Sequence, residues 1–215
     1  MTDSKQPFSG FSDIVESFGR IREVLGKPTE AVMAKVIDEI DDVCRGIIAK
    51  SPFMLVASSG RDGRLDLSPK GDPAGFVRVL DEKHLAIPDR LGNRRGDTFR
   101  NVLENPHVGL LFMIPGKAET LRISGEARIV ADPALLESMA IDGRAPRLAL
   151  VVYVERIMIH CPKCVQRSKI WQPEHWPDHA DTANIAEAMI RHAKLDVTPE
   201  EYEQRARATG MRELY

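Results

Sequence analysis

Short apolar or alternating segments separated by turn residues run through the middle of the chain, and they constrain its fold more than any other feature. Residues 53–57 form a continuous apolar run, whereas residues 64–68 alternate polar and apolar side chains, as a strand with one solvated face does. Asp62-Gly63 favours a tight hairpin between them. The same reasoning predicts further strands over residues 76–80, 84–87, 108–114, 119–130 and 148–159. Short hairpin connections indicate an antiparallel barrel rather than a parallel sheet.

Helical segments flank the predicted strands. Apolar residues at helical spacing predict helices over residues 11–25 and 29–49, and Gly26-Lys27-Pro28 ends the first of them. Gly125, inside a long strand, predicts a β-bulge. Further helices are predicted over residues 97–104, 133–140 and 181–215.

Three regions follow from this pattern. Residues 1–50 form an N-terminal helical segment, residues 51–171 form the barrel domain, and residues 172–215 form a C-terminal wrap with helices. The mixed apolar and charged spacing after residue 181 predicts packing on the barrel or on a partner subunit.

Composition excludes several classes of protein. The 215 residues are 43% hydrophobic and 29% charged, with a net charge of −2, which argues against a dedicated nucleic-acid binder. The sequence has neither an apolar run long enough to span a membrane nor the apolar core of a signal peptide. A cytoplasmic protein without membrane or nucleic-acid partners is the expectation.

A basic loop, residues 88–98, lies between a predicted strand and a predicted helix. It contains Arg90, Asn93, Arg94 and Arg95 together with two glycines. Glycines let the backbone approach an anion, and the start of a helix offers unpaired N–H groups and a positive dipole end. Arginine matches phosphate with paired donors. The loop therefore predicts a phosphate-binding site, with a solvated basic turn as the alternative.

Two other segments carry polar side chains suited to a cofactor. Lys70 follows Ser68 after a strand and offers a second charge, although spacing alone favours a Pro/Gly turn with an exposed lysine. Strand alternation puts Thr120, Arg122 and Ser124 on one face. That face fits a cofactor pocket, or an outward polar surface.

A Cys-x-x-Cys pair follows the last predicted strand, at Cys161 and Cys164. It is open to interpretation as a zinc half-site, although no second pair exists, or as a redox dithiol, although the thioredoxin-like context is missing. A third interpretation is a helical turn whose Lys163 and Arg167 share one face as a cationic cluster. No metal site is predicted.

Taken in order, these motifs resemble the pyridoxamine 5′-phosphate oxidase-like, FMN-binding split-barrel family, and within it a bacterial subgroup of FMN-dependent enzymes. The resemblance runs from about Ile21 to Asp178. It is carried by the ordered segments Ser51-Pro52-Phe53, Ser68-Pro69-Lys70-Gly71-Asp72, Ile87-Pro88-Asp89-Arg90, Gly92-Asn93-Arg94-Arg95, Asp97-Thr98, Asn105-Pro106, Val108-Gly109-Leu110-Leu111-Phe112, Glu119-Thr120-Leu121-Arg122, His160-Cys161, Lys163, Arg167-Ser168 and Trp171.

The resemblance implies a mostly β fold with flanking helices: a six-stranded antiparallel split β-barrel, homodimeric, with FMN at the subunit interface. The family's phosphate, flavin-lining and cross-subunit segments map onto Ser68, Lys70, Asp89, Arg90, Asn93, Arg94, Arg95, Thr120, Leu121 and Arg122. The segment that closes the pocket maps onto His160, Lys163, Arg167 and Trp171, which are substrate-pocket candidates.

The chain departs from true pyridoxamine phosphate oxidases at two places. Pro88-Asp89-Arg90 replaces a Tyr-Thr-Asn style segment, and the C-terminal Arg-Leu-His-Asp substrate motif is absent. We therefore predict an FMN-dependent oxidoreductase that acts on a different, unidentified small molecule. Flavin supplies the redox chemistry itself, so no catalytic residue is predicted. The alternative is a non-catalytic flavin-binding protein for storage, sensing or regulation.

Overall fold

One antiparallel sheet organises the fold. The structure is a computed structural model that describes residues 7–215. Within these residues the strands are β1 (Phe53–Ser59), β2 (Leu65–Gly71), β3 (Arg78–Val79), β4 (His84–Pro88), β5 (His107–Met113), β6 (Thr120–Val130) and β7 (Ala149–His160). Their spatial order is β2-β1-β5-β6-β7-β4-β3, and every neighbouring pair is antiparallel. The predicted mostly β, antiparallel fold with flanking helices is confirmed.

The sheet has seven strands in this part of the chain, so the prediction of six is wrong. The additional strand is β3, whose residues Arg78 and Val79 pair with Ala86 and Leu85 of β4. Most of the predicted strand 76–80 lies outside this pairing, because Phe76 and Val77 are buried in the core rather than paired at the sheet edge.

Alternation along the central strands separates two faces of the sheet. On β1, Met54 and Val56 are fully buried, whereas Leu55 and Ala57 between them are half-buried on the opposite face. β5 and β6 repeat the pattern. The first face packs the main core, which includes Ile40, Ile48, Leu85, Phe112, Leu121, Val152 and Ile157. The second face is the one left to a ligand or a partner.

The bulge predicted in β6 is confirmed. Pairing between β6 and β7 shifts register between Ser124 and Gly125. A Cβ at Gly125 would overlap the carbonyl oxygen of Tyr153 on β7. Glycine is thus required because the neighbouring backbone occupies the position of a side chain.

The N-terminal helices are shorter than the sequence predicts. The helices are α1 (Phe18–Leu25), α2 (Glu30–Ala34), α3 (Asp42–Lys50), α4 (Asp97–Glu104), α5 (Pro133–Ser138), α6 (Lys163–Ser168), α7 (Ile185–Ala193) and α8 (Pro199–Ala208). The predicted helix 29–49 is two helices, because Ile37 pairs with Ile157 of β7 through N–H to carbonyl bonds of 3.0 and 2.7 Å. Asp41 then caps α3 by accepting the N–H of Cys44 at 2.8 Å. Likewise, helix 11–25 is confined to α1, since Ser17 caps it.

The C-terminal segment 181–215 also contains two helices rather than one. α7 and α8 each begin with a reciprocal capping box, formed by Asn184 with Glu187 and by Thr198 with Glu201. Two such start signals in one segment explain the division.

The described residues fall into two compact units, one ending at Val36 and the other running Ile37–Tyr215. The first unit contains α1 and α2, and the second contains the sheet and the remaining helices. None of the helices described is both long and apolar enough to cross a membrane.

Candidate functional site

Strand register aligns half-buried and exposed residues in two rows on the sheet face opposite the core. One row runs across five strands as Leu67, Ala57, Gly109, Ser124 and Arg156, and the next as Pro69, Leu55, Leu111, Arg122 and Met158. A cavity of about 580 Å³ lies over most of this surface, and we call it the sheet-face cavity. Its size is typical of small-molecule sites, which run about 300–1,000 Å³.

Cationic groups stand in this otherwise apolar cavity. Arg122 of β6 and Arg156 of β7 line it and are exposed, and neither has an ion-pair partner among the residues that the structure describes. Thr120 and His160, which pair across β6 and β7, line the same cavity. An apolar surface with free guanidinium groups suits a flat ligand that carries negative charge or carbonyl oxygens.

A second cavity, of about 360 Å³, adjoins the first one. Leu67 lines both cavities. The second cavity, which we call the loop cavity, is lined by residues 66–69 of β2 and by the basic loop with the start of α4, including Ser68, Asn93, Arg95 and Thr98. Ser68 and Asn93, which lie about 25 residues apart in sequence, therefore line the same cavity.

The backbone of the basic loop is sharply turned beside the loop cavity. Arg94 adopts a left-handed conformation with φ of 59°, and Gly96 follows with φ of 67°. A left-handed arginine is uncommon and is held by its surroundings: the Asn93 side chain accepts the N–H of Arg95 at 3.0 Å. Gly96 caps α4 without a side-chain hydrogen bond, which leaves the first N–H groups of this helix available.

The lining of the loop cavity carries charges of both signs: one arginine, Arg95, and two carboxylates, Asp66 and Asp97. Arg95 donates from Nε to Oδ2 of Asp97 at 2.6 Å, and Arg100 pairs with the other oxygen of that carboxylate. The hydrogen bond with Arg95 lowers the pKa of Asp97 and raises the pKa of Arg95. Asp66 accepts a weak bond from the Thr98 hydroxyl at 3.4 Å. Arg94 and Arg100 lie outside the lining of this cavity, and the Arg94 guanidinium has no ion-pair partner among the residues described.

Arg90 has a different place from the rest of the basic loop. Its Nε donates to Oδ2 of Asp72 at 2.6 Å and its Nη2 to the carbonyl oxygen of Met139 at 2.9 Å. The Asp72 side chain is 1% exposed, and its other oxygen accepts the Tyr215 hydroxyl at 2.5 Å. Arg90 therefore ties the start of the loop to the body of the protein, and its guanidinium is already engaged by Asp72 and by the Met139 carbonyl.

Lys70 and Asp89 form a neighbouring ion pair, with Nζ and Oδ1 3.8 Å apart. Burial raises the pKa of Asp89, and the charge of Lys70 acts against that rise. Neither residue lines either cavity. This pair joins β2 to the end of β4, so it positions the two segments that flank the loop cavity.

The remaining predicted site residues lie apart from the cavities. Leu121 is fully buried in the core and lines neither cavity. Lys163 and Arg167 are exposed on α6, and Trp171 donates from Nε1 to the carbonyl oxygen of Lys117 at 2.9 Å. From the same segment, it is His160, Cys164 and Val165 that line the sheet-face cavity.

Several cavity residues were missed by sequence reasoning. Arg156 and Met158 on β7 and Leu55 on β1 line the sheet-face cavity. Alternation within β7 puts Arg156, Met158 and His160 on one face, which is a readable signal. Their meeting with β1 depends on a strand order that runs β1-β5-β6-β7, which the sequence does not state.

Metal-binding clusters are not found in the described part of the chain: no group of three or more His, Cys, Asp or Glu side chains stands together there. The sheet-face cavity offers cations, hydroxyl groups and an apolar surface, which suit anionic and aromatic ligands.

Solved structures match just over half of this chain at low sequence identity. The Group A Streptococcus protein HupZ is 23% identical with a TM-score of 0.46, over 56% of this chain and 93% of that one. A candidate pyridoxamine 5′-phosphate oxidase from Lactobacillus delbrueckii is 16% identical with a TM-score of 0.46, over 57% and 95%. An FMN-binding protein from Syntrophomonas wolfei is 9% identical with a TM-score of 0.41, over 54% and 88%.

The family comparison is independent of these structures. Comparison with curated protein sequences finds no match. A family model described as pyridoxamine 5′-phosphate oxidase matches residues 40–161, which include all seven strands and both cavities' strand residues. Because this match spans more than half of the sequence, the chain belongs to the pyridoxamine 5′-phosphate oxidase-like family.

Proposed function

We propose that the chain binds FMN and is an FMN-dependent oxidoreductase acting on an unidentified small molecule. The observation that carries the proposal is the pair of adjoining cavities that meet at Leu67. One is broad and apolar with free guanidinium groups, and the other surrounds the uncapped start of α4. FMN has the same two parts, a flat ring system and a phosphate joined by a polar chain.

The residues present fit this cofactor. Arg94, Arg95, Ser68, Asn93 and the first N–H groups of α4 would hold the phosphate, because charge-assisted bonds and a helix start both favour anions. The rows of the sheet face, such as Leu55 and Leu111, would pack the ring. Arg122 and Arg156 would stand near it and favour electron-rich ring forms.

Flavin, when bound, supplies hydride or electron transfer without a protein base. The chain's part is to bind the cofactor, orient it on the sheet face and leave one side accessible to a substrate. His160 lines the cavity and is the residue best situated to contact that substrate. Lys163 and Arg167 add positive charge on the adjoining helix, which favours an anionic substrate.

A homodimer is part of this proposal. β2 is an edge strand whose Leu65 and Leu67 are 81% and 66% exposed, and Leu67 lines both cavities. Exposed apolar side chains on an edge strand are typical of a surface that binds another chain. A second copy packed against β2 would cover them and close the FMN site at the subunit interface.

The test is the absorption spectrum of the freshly purified protein and of the supernatant after heat release. Flavin bands, with FMN identified by mass in the supernatant, are the expected result. A colourless protein that also fails to bind added FMN would overturn the cofactor assignment. Reduction of the bound flavin by NADPH or NADH and its reoxidation by oxygen would support an oxidoreductase. Binding without either reaction would favour flavin storage, sensing or regulation.

A further inference from the structure

We infer that Cys161 and Cys164 form a dithiol–disulfide pair that exchanges with small anionic disulfides at the rim of the sheet-face cavity. Both cysteines are free and exposed, and Cys164 also lines the cavity. A thiol that is both exposed and part of the lining lies at the cavity's rim. This activity concerns the thiols themselves, so it does not rest on flavin binding.

Local backbone geometry places Cys161 and Cys164 at the two ends of one turn. β7 ends at His160, Pro162 has helical angles with φ of −75° and ψ of −9°, and α6 begins at Lys163. Two helical residues between the cysteines form a turn whose end Cα atoms lie within about 7 Å. Disulfides span Cα separations of about 4.4–6.8 Å. The turn is therefore compatible with a disulfide between the two cysteines.

Zinc binding is the competing use of a Cys-x-x-Cys pair, and the surroundings do not favour it. A structural zinc site needs four ligands. No group of three or more candidate ligands is found in the described part of the chain, so the pair lacks the partners for a metal site. The two thiols are left to react with each other.

Cationic side chains lie near the pair. Arg122 and Arg156 line the cavity with Cys164, and Lys163 and Arg167 lie on the same helix as Cys164. These cations attract an anionic disulfide and repel a cationic one, which sets the charge of the exchange partner.

The exchange balances without a further oxidant. The Cys164 thiolate attacks one sulfur of the small disulfide, whose S–S bond breaks, and one thiolate leaves and takes up a proton. The Cys161 thiolate then attacks the Cys164 sulfur of the mixed disulfide and releases the second thiol. Two protein thiols are oxidised to one disulfide, and the small disulfide is reduced to two thiols.

The test uses purified full-length protein, oxidised glutathione as the anionic disulfide and cystamine as the cationic one. After quenching with an alkylating reagent, the mass of each cysteine peptide is measured over time. Wild type is expected to form the Cys161–Cys164 disulfide, about tenfold faster or more with glutathione than with cystamine at low salt. Added salt should reduce this difference, because screening weakens steering.

Two matched variants identify which thiol attacks. Cys161→Ser should accumulate glutathione on Cys164, since no second thiol resolves the mixed disulfide. Cys164→Ser should react more slowly at Cys161, which does not line the cavity. Cys44 is the internal control: it is buried, and burial raises its pKa to about 12, so it should remain unmodified.

Two results would overturn the inference. One is that both exposed thiols stay alkylatable after prolonged incubation with oxidised glutathione. The other is that each carries its own glutathione and no internal bond forms. Equal rates with glutathione and cystamine would reject the cavity as the exchange site. All readouts are masses of cysteine peptides, so a protein that fails to bind FMN can still pass or fail them.

Discussion

At the scale of single residues, the basic loop shows that arginines close in sequence can have different structural roles. Arg90 is committed to buried Asp72, Arg95 shares its charge with Asp97, and Arg94 has no partner among the described residues. All three look alike in the sequence. Only the placement of carboxylates from β2 and α4 around them separates the anchoring arginine from those free to bind an anion.

We predict that Arg94→Ala weakens FMN binding by roughly 10- to 150-fold, because one charge-assisted contact contributes about 1.5–3 kcal/mol. Arg95→Ala should have a smaller effect, since Asp97 already offsets part of its charge. Titration of FMN fluorescence measures both. Arg64→Ala is the control: this exposed arginine of the β1–β2 hairpin lines neither cavity and should bind FMN like wild type.

Asp72→Ala should lower the free energy of unfolding by about 3–5 kcal/mol, because it leaves the largely buried guanidinium of Arg90 without its partner. Urea denaturation followed by circular dichroism measures the change. Glu126→Ala, which breaks the more exposed pair with Arg128, should change it by less than about 1 kcal/mol. Similar losses in the two variants would contradict an anchoring role for Arg90.

At the scale of elements, the sequence predicts regular strands well and interrupted helices poorly. Helix 97–104 and the strands around residues 107–113 and 120–130 lie where periodicity and turn residues put them. Segment 29–49 has helical spacing throughout, yet Ile37 pairs with β7 and divides it. A tertiary hydrogen-bond partner overrides local preference there, and such a partner has no local sequence signal.

The bulge gives a prediction at this scale. Gly125→Ala should destabilise the protein by about 1–3 kcal/mol, because the new methyl group would overlap the backbone of Tyr153. The matched control is Gly46→Ala in α3, where a methyl group meets no atom within 4 Å. That change should stabilise by up to about 1 kcal/mol through helix propensity. Thermal unfolding of both variants compares them, and equal effects would argue against a steric role for the bulge.

At the scale of the whole molecule, the sheet presents one face to its core and the other to a cavity. Leu55, Leu111 and Met158 come from three strands that are far apart in sequence, yet register aligns them in one row. The apolar surface and the edge strand β2 remain partly open in the single chain. The proposed cofactor and the proposed second copy would cover this same region.

Leu65→Asp should shift a dimer towards monomer, because it puts a charge on the exposed apolar edge at β2. Leu80→Asp lies beside β3, at the opposite edge of the sheet, and should leave the assembly unchanged. Sedimentation velocity at several concentrations measures both variants against wild type. A wild-type monomer that retains FMN would contradict the proposed interface.

The sequence by itself determined the antiparallel strands, the bulge glycine, the start of α4 and the family, because alternation, turn residues and ordered motifs are local properties of the chain. Tertiary structure decided which side chains meet. Strand order and register put Arg156 beside Ser124 and Ser68 near Asn93, and they left Lys163 and Trp171 outside the cavities. Those contacts depend on pairing between segments that are distant in sequence. The free energy of that pairing comes from the assembled sheet rather than from any one stretch of residues.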